Sequence, residues 1–271
     1  MAFLWTALLT LGLLASAYIG WRVRRRLHER HTAQDSIDSI RVLMGMLLTF
    51  SALVLGLLTS NAKQRFDFFN DTLSSYATDL IELDHRLRMY GPDVDDVRRE
   101  LRAYTAAAIA DSWPDEPTPA GRYPRFRDPG GVERSPLAAM LTTIDDKIEA
   151  LAPPDGFHQQ IAARMRNRMA TVIQTRWQII FSSGSTVSWP FLLVLTSWLA
   201  IIFAVFGMTS PPTRLIYTVV ALSAVSIASP LYLIIDYSST LTGLITLSSA
   251  PLRSALAHMD AAQEAAPEDA R

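Results

Sequence analysis

Few side chains in this sequence have the types and spacing that metal or acid–base chemistry requires. His28 and His31 lie three residues apart beside Glu29, and on a helix this spacing would supply half of a metal site. The segment around them is strongly basic, which is typical of a solvated flank next to a membrane span. We favour the second interpretation, because no further ligand follows at a recognisable spacing.

Acidic residues gather at Asp93, Asp95 and Asp96, directly after a Gly–Pro pair. A calcium loop requires more oxygen ligands in a fixed order, whereas capping and the helix dipole favour carboxylates at the start of a helix. The sequence contains no cysteine, no glycine-rich phosphate loop and none of the serine-hydrolase or zinc-protease motifs. We therefore predict no catalytic residue, no cofactor and no metal site, and expect that the protein is not an enzyme.

Residues suited to ion transport concentrate in one uncharged stretch, residues 42–60, and just beyond it. In a ring of subunits, a helix with small and hydroxyl side chains could line a pore, and cations at its end would attract anions. The candidate pore or mouth residues are Thr49, Gly56, Thr59, Ser60, Lys63 and Arg65. The alternative is ordinary helix packing through small residues, with the cations reaching to the membrane interface.

Four long uncharged segments organise the chain, at residues 3–21, 42–60, 187–207 and 215–235. A helix needs about 20 apolar residues to cross the hydrocarbon core of a bilayer, so each segment predicts a transmembrane helix. The net charge of −1 argues against a nucleic-acid partner. We predict an all-α, four-span integral membrane protein in the lipid bilayer, with no nucleic-acid partner.

The distribution of arginine predicts the orientation of these spans. Six arginines lie between Arg22 and Arg41, and short cytoplasmic loops are enriched in Lys and Arg. We therefore predict that residues 22–41 are cytoplasmic, and that both termini and the long middle region face outward. Arginine far outnumbers lysine, which suggests a bacterial protein and hence the inner (plasma) membrane.

An apolar heptad pattern continues beyond the second span. Spacings of 3 and 4 alternate through Phe66, Phe69, Leu73, Tyr76, Leu80, Leu83, Leu87 and Tyr90. Neither proline nor glycine interrupts the sequence between Gly56 and Gly91. The pattern predicts a single helix that crosses the membrane and continues about 30 residues past it.

Three further amphipathic patterns follow, and together with the heptad helix they predict a helical bundle inserted between spans 2 and 3. The predicted regions are residues 1–60, with two transmembrane helices and the basic loop, and residues 61–186, with the bundle. Residues 187–236 hold two more transmembrane helices. Residues 237–271 are expected to form an interfacial tail and a disordered C-terminus.

Three local signatures resemble the bestrophin-like family of bacterial and plant membrane proteins. The first, "LRAYTAAAIADSWP", matches the family's tyrosine and tryptophan–proline positions with Tyr104, Trp113 and Pro114. The second, "QTRWQIIFSSGSTVSWPFLLVL", enters the third span. The third, "LIIDYSSTLTGLITLSSAPLRSAL", resembles the family's pattern of aspartate, glycine, serine and proline. The corresponding residues are Asp236, Gly243, Ser249 and Pro251. Two positions depart from the family pattern: Ser112 replaces the usual acid before the tryptophan, and Tyr237–Ser238 replaces a frequent arginine–proline.

The resemblance implies, by analogy with bestrophins whose subunits form pentamers, a homo-oligomeric channel for anions. It also implies the opposite orientation, with both termini and the bundle in the cytoplasm; here we keep the prediction from the arginine distribution. The alternative function is a non-conducting structural or signalling membrane protein whose helical bundle binds a partner.

Asp236 directly follows the fourth uncharged segment. Because a charge in the middle of a membrane is costly, we predict that Asp236 marks the outer end of the span and is not an intramembrane ligand. We expect its carboxylate to accept hydrogen bonds from the backbone of the next turn. Beyond it, a short helix with Leu252, Leu256 and Met259 on one face is predicted to lie on the membrane surface.

Overall fold

The computed structural model describes residues 2–26, 34–124, 136–183, 189–211, 213–238 and 247–264. Its α-helices are α1 (Ala2–Arg24), α2 (Gln34–Tyr90), α3 (Asp95–Ser112), α4 (Pro136–Glu149), α5 (Gly156–Ser183), α6 (Trp189–Thr209), α7 (Arg214–Ser238) and α8 (Ala250–Glu264). A short 3-10 helix, Pro92–Val94, precedes α3. Within the described ranges the structure contains no β-strand, and the predicted all-α class is confirmed.

The chain forms two compact units. The membrane unit comprises Met1–Phe66 and Ser185–Thr246, and the bundle unit comprises Asp67–Gly184 and Leu247–Arg271. The long helix α2 contributes to both, which confirms the prediction of a single helix that continues past its apolar segment. The second half of α2 is followed by α3, α4 and α5, so the helical insertion between spans 2 and 3 is also confirmed.

Four helices are long and apolar enough to cross a membrane, in the segments Phe3–Arg24, Asp38–Tyr90, Trp189–Thr209 and Arg214–Tyr237. Their apolar parts coincide with the four predicted spans. In the core of the membrane unit, Leu13 of α1, Leu195 and Leu199 of α6 and Ala224 of α7 are buried together. One face of α2 packs against this core through residues such as Val54, which is partly buried.

Helices α1 and α6 run in the same direction and are in very close contact. The rings of Trp5 and Trp189, near the two helix starts, have centroids 5.5 Å apart. Near the helix ends, a side chain at Gly207 would overlap the backbone of Ala17. A side chain at Gly20 would likewise overlap the backbone of α6. The C-terminal ends of α1 and α6 therefore lie at the same end of the membrane unit.

The heptad residues form the core of the bundle unit. Leu80, Leu83 and Leu87 are fully buried, and Tyr76 and Tyr90 are each 4% exposed. Amphipathic helices α3, α4 and α5 bury their predicted apolar faces in the same unit, as the burial of residues such as Leu101, Ile144 and Met165 shows. Phe66 is the exception among the heptad residues, since it belongs to the membrane unit and its ring contacts Tyr237.

The C-terminal helix α8 differs from the expected membrane-surface helix. Leu252, Leu256 and Met259 do share one face, but this face is buried within the bundle unit and α8 contacts α3. The guanidinium of Arg102 on α3 binds the carboxylate of Asp260. An apolar helix face gains as much by packing on protein as on lipid, and the sequence pattern is the same in both cases. The predicted disorder after α8 concerns residues 265–271, which lie outside the described ranges.

Candidate functional site

Four of the six candidate pore residues share one face of α2. Successive residues of an α-helix are rotated by about 100°, which places Thr49, Gly56, Ser60 and Lys63 within a sector of about 60°. All four are exposed in the single chain. This face, which we call the outward face of α2, points away from the core of the membrane unit.

The other two candidates lie elsewhere on the helix. Thr59 is half-buried at the edge of the outward face. Arg65 is exposed, but the helical rotation sets it about 160° from Thr49, on nearly the opposite side of α2. From the sequence, Lys63 and Arg65 were predicted to lie together at the mouth of a pore. The helical rotation instead places them on different sides of α2.

The hydroxyl groups in this segment have local hydrogen-bond partners. Thr49 Oγ1 donates to the carbonyl oxygen of Gly45 at 2.9 Å, and Thr59 Oγ1 donates to that of Leu55 at 2.8 Å. Ser60 Oγ accepts a hydrogen bond from Gln64 Nε2 at 3.1 Å. The remaining lone pairs of these hydroxyls make this a narrow polar strip on a largely apolar helix. The space beside Gly56 is open.

In the bundle unit, the family position Trp113 contacts the segment that leads to Ser249, another family position. The indole Nε1 of Trp113 donates a hydrogen bond to the carbonyl oxygen of Leu247 at 2.7 Å, and the ring is 8% exposed. Pro114 follows directly, and Pro251 lies in the first turn of α8. Trp113 therefore anchors the segment that leads into α8, although the two regions are far apart in sequence.

Glu116 completes this anchor. Its Oε2 accepts hydrogen bonds from Ser249 Oγ and, at 3.0 Å, from Arg253 Nε. Arg253 Nη2 also donates to the carbonyl oxygen of Pro117 at 2.7 Å. The bond from Ser249, helped by Arg253, lowers the pKa of the Glu116 carboxyl below its usual value. We call Trp113, Glu116, Ser249 and Arg253 the tail anchor.

Tyr104, another family position, lies in the interior of the bundle unit. Its hydroxyl is 2.5 Å from the hydroxyl of Tyr76, and Tyr104 is 2% exposed. Burial raises the pKa of Tyr104 above its usual value. The hydroxyl pair therefore remains neutral at physiological pH, and we interpret it as a structural contact between α2 and α3.

Asp236 is 1% exposed, near the end of α7. Its Oδ1 accepts a hydrogen bond from Tyr232 at 3.4 Å. The turn that was expected to donate to this carboxylate, and Gly243 within it, lie outside the described residues. The position of Asp236 at the membrane boundary stays a prediction.

The acidic cluster has a different role from the predicted side-chain capping. Val94 occupies the N-cap position of α3, so no carboxylate caps the helix from there. Asp95 pairs with Arg98 at 3.4 Å and Asp96 with Lys147 at 2.7 Å. The bond to Lys147 lowers the pKa of the Asp96 carboxyl. Both carboxylates lie in the first turn, where the helix dipole also favours them.

Within the part of the chain that the structure describes, no three His, Asp or Glu side chains converge so as to hold a metal ion. His28, Glu29 and His31 lie outside that part. Sequence reasoning missed Glu116, and the charges of the Pro-rich segment around it could have drawn attention to it. It also missed the close approach of α1 and α6 at Gly20 and Gly207. The only signal for such a contact in a sequence is a pair of small residues, four or fewer positions apart, on an apolar helix.

The fold and these sites define an all-α membrane protein with four spans and a helical bundle whose C-terminal helix is anchored by Trp113. The bestrophin-like domain model matches residues 4–252, and the chain belongs to the bestrophin-like family. The predicted resemblance is thus confirmed. No curated protein matches the chain in sequence.

Two solved structures resemble the fold. One is the crystal structure of a variant of a bacterial bestrophin homologue from Klebsiella pneumoniae, with 12% sequence identity and a TM-score of 0.62, covering 93% of this chain and 96% of that chain. The other is the crystal structure of a variant described as a membrane protein, with 14% identity and a TM-score of 0.58, covering 94% and 97%. At these identities the likeness concerns the fold.

Proposed function

We propose that the protein assembles into a homo-oligomeric membrane channel for anions, in which the outward face of α2 lines the pathway. The observation that carries this proposal is the strip of Thr49, Gly56, Ser60 and Lys63 on the one side of α2 that the membrane unit leaves exposed. The hydroxyls of Thr49 and Ser60 have local partners but retain lone pairs that lipid cannot hydrate. In a ring of subunits, the same strip would face water.

The charge along α2 favours anions. Between Asp38 and Asp67 the sequence contains no acidic residue. Lys63 lies on the outward face beyond the apolar segment, where a ring of cations would raise the local anion concentration. Membership in the bestrophin-like family supports the same class of function.

A charge reversal on each side of α2 tests the proposal. The purified protein, reconstituted into a planar bilayer under a KCl gradient, should give currents whose reversal potential indicates chloride selectivity. Lys63→Glu should shift the reversal potential toward that of potassium. Arg65→Glu makes the same charge change two residues away on the other side of the helix, and should shift it much less.

Three results would contradict the proposal or part of it. Equal shifts of the reversal potential for Lys63→Glu and Arg65→Glu would show that the outward face of α2 does not line the pathway. A folded oligomer without conductance would favour the alternative, a structural or signalling membrane protein whose bundle binds a partner. Size-exclusion chromatography with light scattering gives the subunit number independently of conductance, and a monomer would refute the ring.

We also propose that the short connections after α1 and α6 face the cytoplasm of the inner membrane. Arg22 and Arg24 lie at the end of α1, and Arg214 begins α7, so basic residues cluster at the end of the membrane unit where α1 and α6 end. Alkaline phosphatase fused after Gly121 should be active, and fused after His31 it should be inactive. The reverse result would establish the opposite orientation.

A further inference from the structure

Two hydroxyl groups in the middle of α7 are exposed and have no hydrogen-bond partner. Ser226 and Ser229 lie near the midpoint of this span, and neither side chain forms a hydrogen bond within the described part of the chain. Pro230 has no N–H, so the carbonyl oxygen of Ser226 also loses the donor that a regular helix supplies. Lipid offers no partner to such groups, and in membrane proteins a neighbouring helix commonly supplies it.

The exposed side of α7 forms a regular stripe. Leu215, Leu222 and Ser229 are seven residues apart, which places them within a sector of about 40°. All three are exposed. This spacing is typical of a helix that packs along its length against a second helix.

A matching stripe lies on α2. Leu43, Phe50 and Leu57 are also seven residues apart and exposed. The helical rotation places this stripe about 110° from the outward face and nearly opposite Phe66, whose ring contacts Tyr237 of α7 in the same chain. We call the stripe the exposed flank of α2. In the proposed ring, where the outward face points to the axis, the exposed flank faces the next subunit.

The two stripes are in register. The ring centroids of Phe66 and Tyr237 are 5.2 Å apart, so these residues lie at about the same depth. Leu57 precedes Phe66 by nine residues and Ser229 precedes Tyr237 by eight, so the depths of Leu57 and Ser229 differ by about 1.5 Å. The same offset gives two further pairs, Phe50 with Leu222 and Leu43 with Leu215. Rotation about an axis normal to the membrane preserves depth, so the stripes of neighbouring copies are level with each other.

The exposed flank also carries a polar group. Asn61 lies one turn beyond Leu57, is exposed and has no hydrogen bond within the described residues. Its amide can donate and accept, and helical side chains lean toward the N-terminus, which brings the amide toward the depth of Ser229. We propose that α7 of each subunit packs in parallel against the exposed flank of α2 in the next subunit, where Asn61 hydrogen-bonds to Ser229. This interface rests on the homo-oligomer of the proposed function.

Cysteine cross-linking tests the interface, because the chain has no cysteine of its own. Co-expressed Leu57→Cys and Ser229→Cys proteins, oxidised in the membrane, should form a disulfide-linked dimer, and so should Phe50→Cys with Leu222→Cys. The matched control is Leu57→Cys with Leu222→Cys. It uses the same two stripes but separates the cysteines by about 9 Å in depth, and should not cross-link.

Removal of one hydroxyl tests the hydrogen bond. Ser229→Ala should raise the dissociation constant of the oligomer in detergent by about three- to tenfold, because an interhelical bond is lost. Ser197→Ala is the control, since this exposed hydroxyl of α6 donates to the carbonyl oxygen of Val194 in its own helix at 2.7 Å. Equal effects of the two substitutions would overturn the bond between Ser229 and Asn61.

The remaining outcomes separate this interface from the ring itself. A monomer in light scattering would refute both. An oligomer in which the in-register pairs fail to cross-link, or link no better than the control pair, would refute the interface and leave the channel standing. Dimers formed by Ser229→Cys alone would show that α7 packs against α7, and would also overturn the pairing with α2.

Discussion

Replacing Gly20 with alanine tests the close contact between α1 and α6. An added methyl group at Gly20 would overlap the carbonyl oxygen of Ala204 and lie 3.0 Å from the backbone nitrogen of Met208. The contact is reciprocal, because a methyl group at Gly207 would overlap the carbonyl oxygen of Ala17. Both obstacles are backbone atoms of a helix, which cannot rotate aside as a flexible side chain can.

The two helices must therefore separate to accept the methyl group. Overpacking of a tight core costs roughly 1–3 kcal/mol, occasionally more, and we expect the upper part of this range because the opposing atoms are backbone. In a bilayer this loss is not offset by burial of the new methyl group, since lipid is as apolar as the protein interior and close packing is the main source of helix association. Gly207→Ala should cost a similar amount.

Equilibrium unfolding in mixed micelles with increasing SDS fraction measures this loss of stability. The matched control is Gly12→Ala, on the same helix, where an added methyl group meets nothing within 4 Å. It should not lower the free energy of unfolding, and the higher helix propensity of alanine should raise it by about 1 kcal/mol or less. The double variant Gly20→Ala/Gly207→Ala should cost less than the sum of the single variants, because one separation of the helices relieves both contacts.

Equal stability of Gly20→Ala and Gly12→Ala would refute the close approach of α1 and α6. Strict additivity of Gly20→Ala and Gly207→Ala would show that the two glycines do not share one contact. A loss of stability for all three variants would instead indicate a general effect of the substitution, unrelated to the α1–α6 contact.

Three further predictions concern the bundle unit. Leu80 is fully buried, so Leu80→Asp should cost several kcal/mol and abolish the cooperative thermal transition; a folded monomer would place the heptad seam between subunits. Trp113→Phe removes the 2.7 Å bond to Leu247 and should cost about 1–3 kcal/mol, seen as faster proteolysis of α8, and unchanged cleavage would argue against the tail anchor. The pKa of Glu116 is lowered in the folded state by Ser249, so its contribution is complete above the ordinary glutamate pKa and is lost as the pH falls through the lowered value. Glu116→Gln should therefore flatten the acid side of the pH–stability profile, and an unaltered profile would contradict this.

The sequence alone predicted the elements of the membrane unit correctly. Uncharged segments about as long as a bilayer is thick leave few alternatives to transmembrane helices. The heptad after residue 66 was equally informative, since a strict spacing of 3 and 4 without proline or glycine requires one continuous helix with a buried seam. Leu80, Leu83 and Leu87 accordingly have no exposed surface. The spans and the heptad helix depend on composition and on the spacing of nearby residues. Both can be read directly from the sequence.

The face of α2 that carries the candidate pathway could be predicted only in part. Helical rotation alone places Thr49, Gly56, Ser60 and Lys63 together and Arg65 opposite. The sequence does not say which of these sides packs against α1, α6 and α7, because small residues serve tight packing and pore lining equally well. In the structure Ser51 is buried, whereas Thr49, two residues before it, is exposed. The side of α2 that carries Ser51 is therefore the packed side.

Partners distant in sequence were set by the tertiary structure alone. Arg102 binds Asp260, Trp113 binds the backbone at Leu247, and Gly20 meets Ala204. The apolar stripe of α8 predicted a helix with one buried face, but the same stripe would suit lipid or protein, and only the packing against α3 shows which. The hydrophobic periodicity of a helix shows only that one of its faces is buried. What covers that face depends on complementary shape and charge, which the fold brings together from distant parts of the chain.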